Sequence, residues 1–274
     1  MSRLDSVGTH SVQCSVADPL QPTTQPAVVL DRVSKTFAGA LDRPLVLDEI
    51  SLTVAAGEFV CLVGASGCGK STLLNLIAGL ELPTRGTISR PAGKAALLFQ
   101  DAALLPWLTA GQNVELALRL RGVKRRDRRA EADRLLKLVH LDGLHRARVH
   151  ELSGGMRQRV ALARALAQET RILLMDEPFA ALDAITRDVL HDELIRIWRT
   201  TGLSVVFVTH NVREAVRLGQ RVELMASRPG HLVGHWNVEI SGDRRIESPA
   251  VAALAVEITE ELRKEIRRHA GDPR

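Results

Sequence analysis

Gly64-Ala65-Ser66-Gly67-Cys68-Gly69-Lys70-Ser71-Thr72 is the stretch on which the reading of this chain turns. An apolar run, Phe59-Val60-Cys61-Leu62-Val63, precedes it and reads as a buried strand; Thr72-Leu73-Leu74-Asn75-Leu76-Ile77-Ala78-Gly79 follows and reads as a helix ended by glycine. Strand, glycine loop and helix make the setting of a phosphate-binding P-loop with the full GxxxxGKS pattern. Gly64, Gly67 and Gly69 let successive backbone N–H groups turn inward on an anion, with Ala65, Ser66, Cys68 and Thr72 contributing the remaining amides. The positive end of the helix adds to that field. Lys70 is placed to reach the β- and γ-phosphates, and the Ser71 hydroxyl to bind Mg²⁺. Cys68, among these amides near a helix start, is expected to have a lowered thiol pKa and to be a reactive site.

The chain has 274 residues, 45% of them hydrophobic, enough for a core domain carrying a small subdomain. Its formal charge of +5 comes from 37 basic and 32 acidic residues, a balance that suits a protein near an anionic surface as well as a nucleic-acid binder and selects neither. Cys14, Cys61 and Cys68 lack metal-ligand spacing and do not suggest a disulfide framework, which favours a reducing compartment. No apolar run reaches the ~18–20 residues needed to span a bilayer. Residues 1–26, rich in Ser, Thr, Gln and Pro and without the apolar core of a signal peptide, read as a disordered leader. A soluble, intracellular chain that can dock on a membrane is expected.

Ahead of the P-loop, Ala27–Phe37 and Leu45–Val54 read as strands of an antiparallel sheet. Phe37 is either a core residue or a ring for stacking on a purine. Beyond the P-loop helix, Gly86–Ser89 and Ala95–Phe99 read as strands, the second delivering Gln100 to a strand exit where a side chain can reach a metal or water. Residues 101–150 turn helical. Ala102–Leu108 is apolar and broken by Pro106, as a subdomain's small core or a docking surface would be; Thr109 caps a helix reaching about Arg121. Arg121–Arg129, with six basic residues and one acidic, reads as the solvated face of a surface helix, with no aromatics interleaved for base stacking. Ser153 is placed to cap a helix opening on Gly154-Gly155, which ordinary capping explains and an anion site would also use.

Arg171-Ile172-Leu173-Leu174-Met175-Asp176-Glu177-Pro178 describes a buried parallel strand with two acids at its carboxyl end. Asp176 suits a Mg²⁺ shell and Glu177 is positioned to orient or deprotonate an attacking water. Ala180-Ala181-Leu182-Asp183 leads into a helix to about Thr201; the strand Ser204–Val208 then ends at His210, whose ring could donate to a phosphate or be structural. A short helix Asn211–Leu218, a strand Val222–Ala226 and a turn Arg228-Pro229-Gly230 follow. In the tail, Val251, Leu254, Ile258, Leu262 and Ile266 share one helical face, with Glu260 and Lys264 as a supporting pair.

Taken together these residues resemble the ATP-binding-cassette ATPases that power membrane transporters, over roughly Val28–Met225. The most specific mark is Leu152-Ser153-Gly154-Gly155, the family signature, between the P-loop and the Leu174-Met175-Asp176-Glu177 strand. The resemblance implies an α/β fold: a P-loop core with a parallel sheet, an N-terminal antiparallel β subdomain and an inserted helical signature subdomain. It implies an ATPase domain over 27–240, its helical subdomain at about 101–165, and a helical tail at 241–274. By the same resemblance Gln100 is the Q-loop glutamine and a metal ligand with Ser71 and Asp176, Asp183 is the D-loop aspartate, His210 the switch histidine, and Phe37 an adenine-stacking ring. Two cassettes would pair head to tail, so that Ser153, Gly154 and Gly155 of one bind ATP held by the other; Lys70, Glu177 and His210 would carry the chemistry. Met156 stands where many relatives have Gln, and Phe37 where many have Tyr. Integral membrane permease subunits, with a coupling helix received between Gln100 and about Val114, and indirectly a periplasmic or extracellular solute-binding protein are the implied partners, and the cytoplasmic face of the membrane the implied location; nucleic acid is not implied. Leu104–Thr109 and Ala226–Gly230 resemble the nitrate/sulfonate/taurine importer branch. The alternative is a soluble cassette ATPase not linked to transport.

Overall fold

Every residue of β3 (Phe59–Gly64) is buried, and so is every residue of β7 (Ser204–Thr209), in a computed structural model that describes residues 25–37, 45–91, 93–226, 229–241 and 244–270. The leader up to residue 24, Cys14 and the Ser227-Arg228 part of the expected turn lie outside the described residues. Runs buried throughout need cover on both faces, which a parallel sheet provides. β3 pairs in parallel with β7 and with β8 (Arg221–Ala226), β7 with β6 (Ile172–Asp176), and β6 with β5 (Ala95–Leu98). β9 (His231–Asn237), which the sequence reading passed over, joins β8 antiparallel and gives the order β5-β6-β7-β3-β8-β9.

Alternate residues of these strands feed two cores. Phe59, Cys61, Val63, Leu173, Met175, Val205 and Phe207 face one; Val60, Leu62, Ile172, Leu174, Val206 and Val208 face the other. The second core is closed by α1 (Lys70–Ala78), through Leu73, Leu74, Leu76 and Ile77, and by a three-stranded antiparallel sheet, β2 (Leu45–Val54), β1 (Val28–Thr36) and β4 (Arg85–Ser89), in the order β2-β1-β4. Its third strand comes from beyond the P-loop helix, so the sheet expected ahead of the P-loop is completed from behind it.

The first core is covered by α4 (Gly154–Leu166), α5 (Ala184–Thr201), α6 (Val212–Leu218) and α7 (Pro249–Ala270), and joined by α2 (Ala110–Leu120) and α3 (Arg125–Leu138). Thr109 caps α2 with a full capping box: its Oγ accepts from Gln112 N–H and Gln112 returns its side chain to Thr109 N–H at 2.9 Å. The basic stretch Arg121–Arg129 is solvated, as expected, yet spans a break between two helices, where Gly122 turns at φ 92°. On α7, Val251 and Ile258 are buried and Leu254 and Leu262 half-buried, but Ile266 is 47% exposed, and Lys264 pairs with Glu261 at 2.9 Å instead of Glu260. The packed stripe passes to Glu265, which is 5% exposed, so the apolar periodicity misses the buried face by one position there.

Register sets the functional edge. Leu98 pairs with Met175, Asp176 with Val208 and Thr209 with Val63. Gln100, Glu177, His210 and the loop from Gly64 therefore leave the sheet on one side, at the carboxyl ends of parallel strands. The loop is pressed from outside by the turn before β9: Gly230 donates its N–H to Val46 O and accepts from Asp48 N–H, each at 2.9 Å. A Cβ on Gly230 would stand 2.1 Å from the Cys68 carbonyl oxygen. Gly230→Ala is therefore expected to destabilise the protein by about 1–3 kcal/mol and to weaken binding of a fluorescent ATP analogue, measured by thermal unfolding and equilibrium titration; unchanged values in both would contradict this packing.

Candidate nucleotide site

The P-loop is built around the Lys70 side chain. Lys70 is 6% exposed, and its ammonium donates to Gly64 O and Ala65 O, both at 2.9 Å, with Cys68 Sγ at 3.7 Å. Gly69, the N-cap of α1, sits at φ 98°, where an L side chain is strained, and a Cβ there would lie 2.6 Å from Leu47 Cδ2. The glycine thus serves both the left-handed turn and the close passage of β2, and it brings the free N–H groups of the α1 N-terminus to the mouth of the loop.

Asp176 and Glu177 enter this mouth from β6. Burial raises the Asp176 pKa; a hydrogen bond from Ser71 opposes this, Glu177 adds to it, and the Lys70 charge opposes it again. Glu177 has left-handed backbone, φ 44°, held by its N–H donating to Val208 O at 3.0 Å and by its carbonyl accepting from Ala180 N–H at 3.2 Å. Non-glycine residues adopt such a conformation at a cost of about 1–3 kcal/mol, and persist there when their surroundings over-determine it. The strained turn aims the carboxylate at His210, whose Nδ1 is 2.8 Å from Glu177 Oε2. A cleft of about 380 Å³ lies between these groups, lined by Ser66, Gly67 and Gly69–Thr72 together with Val46, Gln100, Asp176 and Glu177.

The donor set suits a hard divalent cation: a hydroxyl (Ser71), a carboxylate (Asp176) and an amide oxygen (Gln100) on one cleft. Among the described residues no cluster of three or more His, Cys, Asp or Glu could hold a metal alone. A cation here would complete its shell with the substrate's phosphates and water, as Mg²⁺ does.

Other expected site residues lie off this cleft. Phe37 is 42% exposed and has the Lys35 ammonium 4.7 Å from its ring centroid; β2 supplies Val46 to the cleft wall instead. Ser153 caps α4, its Oγ accepting from Met156 N–H at 3.2 Å. Gly155 abuts α5, where a Cβ would meet the Thr186 methyl at 2.6 Å. Asp183 caps α5 by accepting from Thr186 N–H (2.9 Å) and Thr186 Oγ (2.7 Å), bonds that hold its carboxyl below the usual range at an exposed position. A second cavity, about 430 Å³, joins Gln100 to Gly154 and Leu182 and contains Gln158, whose Nε2 donates to Gln100 O at 2.6 Å. Sequence reading missed Val46 and Gln158; the one signal for Gln158 was a polar residue among the apolar positions of α4. A larger cavity, about 570 Å³ between α5, α6 and the segment after β9, contains none of the expected site residues.

The expectation for Cys68 is overturned. The side chain is 1% exposed, and burial raises its thiol pKa by more than the Lys70 ammonium and the neighbouring hydrogen bonds lower it. The amides of a P-loop face the cleft, whereas Cys68 points back beneath the loop. Cys61 is buried as well, its thiol raised by burial and by Glu214. In a Cys14→Ser protein, thiol reagents at pH 7 are expected to label Cys68 far more slowly in the folded state than after denaturation; rapid stoichiometric labelling of the folded chain would contradict its burial.

Comparison with known proteins gives the same reading. The profile of the ABC transporter family matches residues 47–180. The taurine import ATP-binding protein TauB of Mesorhizobium japonicum is 47% identical over 215 residues, covering 76% of this chain and 83% of the relative. The nitrate import ATP-binding protein NrtD of a Synechocystis species is 44% identical over 218 residues, covering 77% and 82%. Among solved structures, the ATP-binding cassette MJ0796, in a dimeric post-hydrolysis state bound to ADP and Pi, superposes with a TM-score of 0.69 at 33% identity, over 78% of this chain and 99% of that one. The P-loop and the acids of β6 fall within the residues matched by the family profile, and the identity to these relatives extends over three quarters of the chain; the chain belongs to the ATP-binding proteins of the ABC transporter family.

Proposed function

We propose that this ABC ATPase drives import of a small anion, of the sulfonate, taurine or nitrate class, as the ATP-hydrolysing subunit of a membrane transporter. The observation that carries the catalytic reading is the contact of Glu177 with His210 at 2.8 Å, beside a cleft lined by Lys70, Ser71 and Asp176. The anion class comes from the relatives, ATP-binding proteins of taurine and nitrate import, and from the resemblance at Leu104–Thr109.

In this reading the P-loop amides of Gly64–Thr72 cradle the phosphates of ATP and Lys70 supplies a fixed positive charge at the loop mouth. Ser71, Gln100 and Asp176 would hold Mg²⁺, which when bound neutralises charge on the phosphate oxygens. Glu177 orients the attacking water and accepts its proton. His210, in contact with that carboxylate, keeps it aimed and stabilises charge on the transferring group. Phe37 stacks on the adenine, with one ring face already met by Lys35.

Ser153, Gly154 and Gly155 do not line this chain's own P-loop cleft. That separation, with the dimeric form of MJ0796, supports a head-to-tail pair in which the α4 N-terminus and Asp183 of one copy complete the site of the other. Trp107, 67% exposed between β5 and α2, offers an apolar contact for a permease subunit, which in turn meets a solute-binding protein outside the membrane. Among the described residues no helix is long and apolar enough to cross a membrane, so association at the cytoplasmic face would run through that permease.

Glu177→Gln is expected to retain MgATP binding and to lose ATP hydrolysis by about 10²-fold or more, measured by nucleotide titration and phosphate release. In the source cell, deletion of the gene should abolish uptake of one of labelled taurine, an alkanesulfonate or nitrate, and the Glu177→Gln protein should not restore it. Normal entry of all three in the deletion strain would refute the assigned solute class.

A further inference from the structure

We propose that His191 and Glu214 are positioning residues for hydrolysis: a buried hydrogen-bond chain from α5 through Glu214 to Thr209 holds His210 against Glu177. The proposal rests on the roles given above to Glu177 and His210. The His210 ring is 64% exposed and its hydrogen-bond partner is the Glu177 carboxylate, so packing does little to hold it. Its place is inherited from the backbone on either side, and that backbone is fastened from beneath. Thr209 Oγ donates to Glu214 Oε2 and accepts the Asn211 N–H at 3.0 Å. Asn211 Oδ1 in turn accepts the N–H groups of Arg213 at 3.1 Å and Glu214 at 3.3 Å. The residues immediately before and after His210 are thus tied to one buried carboxylate.

That carboxylate is anchored to α5. Glu214 is 5% exposed, and its Oε1 lies 2.6 Å from Nε2 of His191, which is fully buried. The other ring nitrogen, Nδ1, is buried without a hydrogen-bond partner, the Asp188 carboxylate being 3.9 Å away. An apolar residue here would avoid leaving a buried polar atom unmatched, so what the imidazole contributes is its bond to Glu214. His191 also meets the edge of Phe179 at 5.6 Å between ring centroids, and Phe179 lies two residues after Glu177. One side chain therefore touches the segment that carries Glu177 and the network that carries His210. Because α5 begins at the Asp183 cap, displacement of its first turns is expected to reach both catalytic groups together.

The test compares His191→Leu and Thr209→Val in the full chain, each alone and combined with His210→Ala, with Thr209→Ser as the variant that keeps the hydroxyl. Expected is a fall in kcat of about tenfold or more for His191→Leu and Thr209→Val, with KM for ATP near that of the parent, thermal unfolding still cooperative but at a lower temperature because Glu214 loses a buried partner, and Thr209→Ser close to parental. In the His210→Ala background Thr209→Val should lower kcat by less than about twofold, since a residue acting through His210 has nothing left to position, and His191→Leu, which also meets Phe179, should lower it by less than it does alone. Parental kcat in the folded single variants, or an equal loss with and without His210, overturns the proposal. If His210→Ala itself turns over at the parental rate, the assignment of His210 fails, and the proposal with it. Should His191→Leu lose cooperative unfolding, Thr209→Val, which replaces one hydroxyl by a methyl, decides alone.

Discussion

A buried ammonium sets the terms for the whole P-loop region. Lys70 is 6% exposed, and burying a charge is tolerated only where hydrogen bonds or counter-charges compensate. Here the Gly64 and Ala65 carbonyls turn back onto it at 2.9 Å, and the Asp176 carboxylate lies close enough to feel its charge. For two carbonyls five and six residues upstream to reach the same nitrogen, the chain must close on itself between them, so the loop's shape and the position of the lysine are one condition. The amides left pointing outward then form an anion site as a consequence of how the loop closes on its cation.

The parallel sheet supplies what surrounds that loop. β6 and β7 are buried on both faces, β7 in register with β3 and β6 with β7, so their carboxyl ends arrive at the loop with little freedom. The remaining adjustment is made in the turns. Glu177 takes a left-handed backbone that its neighbours impose, and the conformational cost stays local because the strand behind it cannot shift. Residues beyond the strand ends rest on polar ties, including Gln158 to Gln100 and Glu214 to Thr209, each linking a functional turn to a helix on the first core. Such buried ties are sensitive to small helix displacements, since a bond lost in the interior is not replaced by water.

The helical segment faces a different task. α4 is capped by Ser153 and its Gly155 is closed in by Thr186, so its N-terminus is rigid, yet it is not on the cleft of its own chain. A capped helix N-terminus held apart from the phosphate loop fits the proposed pairing, in which its free N–H groups meet a ligand carried by another copy. The Trp107 side chain, in contrast, stands 67% exposed among the described residues, as suits a contact completed from outside.

What the sequence by itself determined was local and directional. The P-loop, the acids at the end of β6, the Thr109 and Ser153 caps and the family could be read because each rests on residue types at fixed spacing, where backbone conformation and side-chain chemistry are set within a few positions. Tertiary structure decided the rest. It placed Val46 on the cleft and left Phe37 off it, because strands far apart in sequence pass at distances no local pattern encodes. It reversed the expectation for Cys68, since a thiol's charge depends on burial on all sides and not on the helix start alone. It also joined His191, Glu214 and Thr209, three residues unremarkable in the chain, because a parallel sheet and the helices covering it bring α5, α6 and β7 together beneath the same turn.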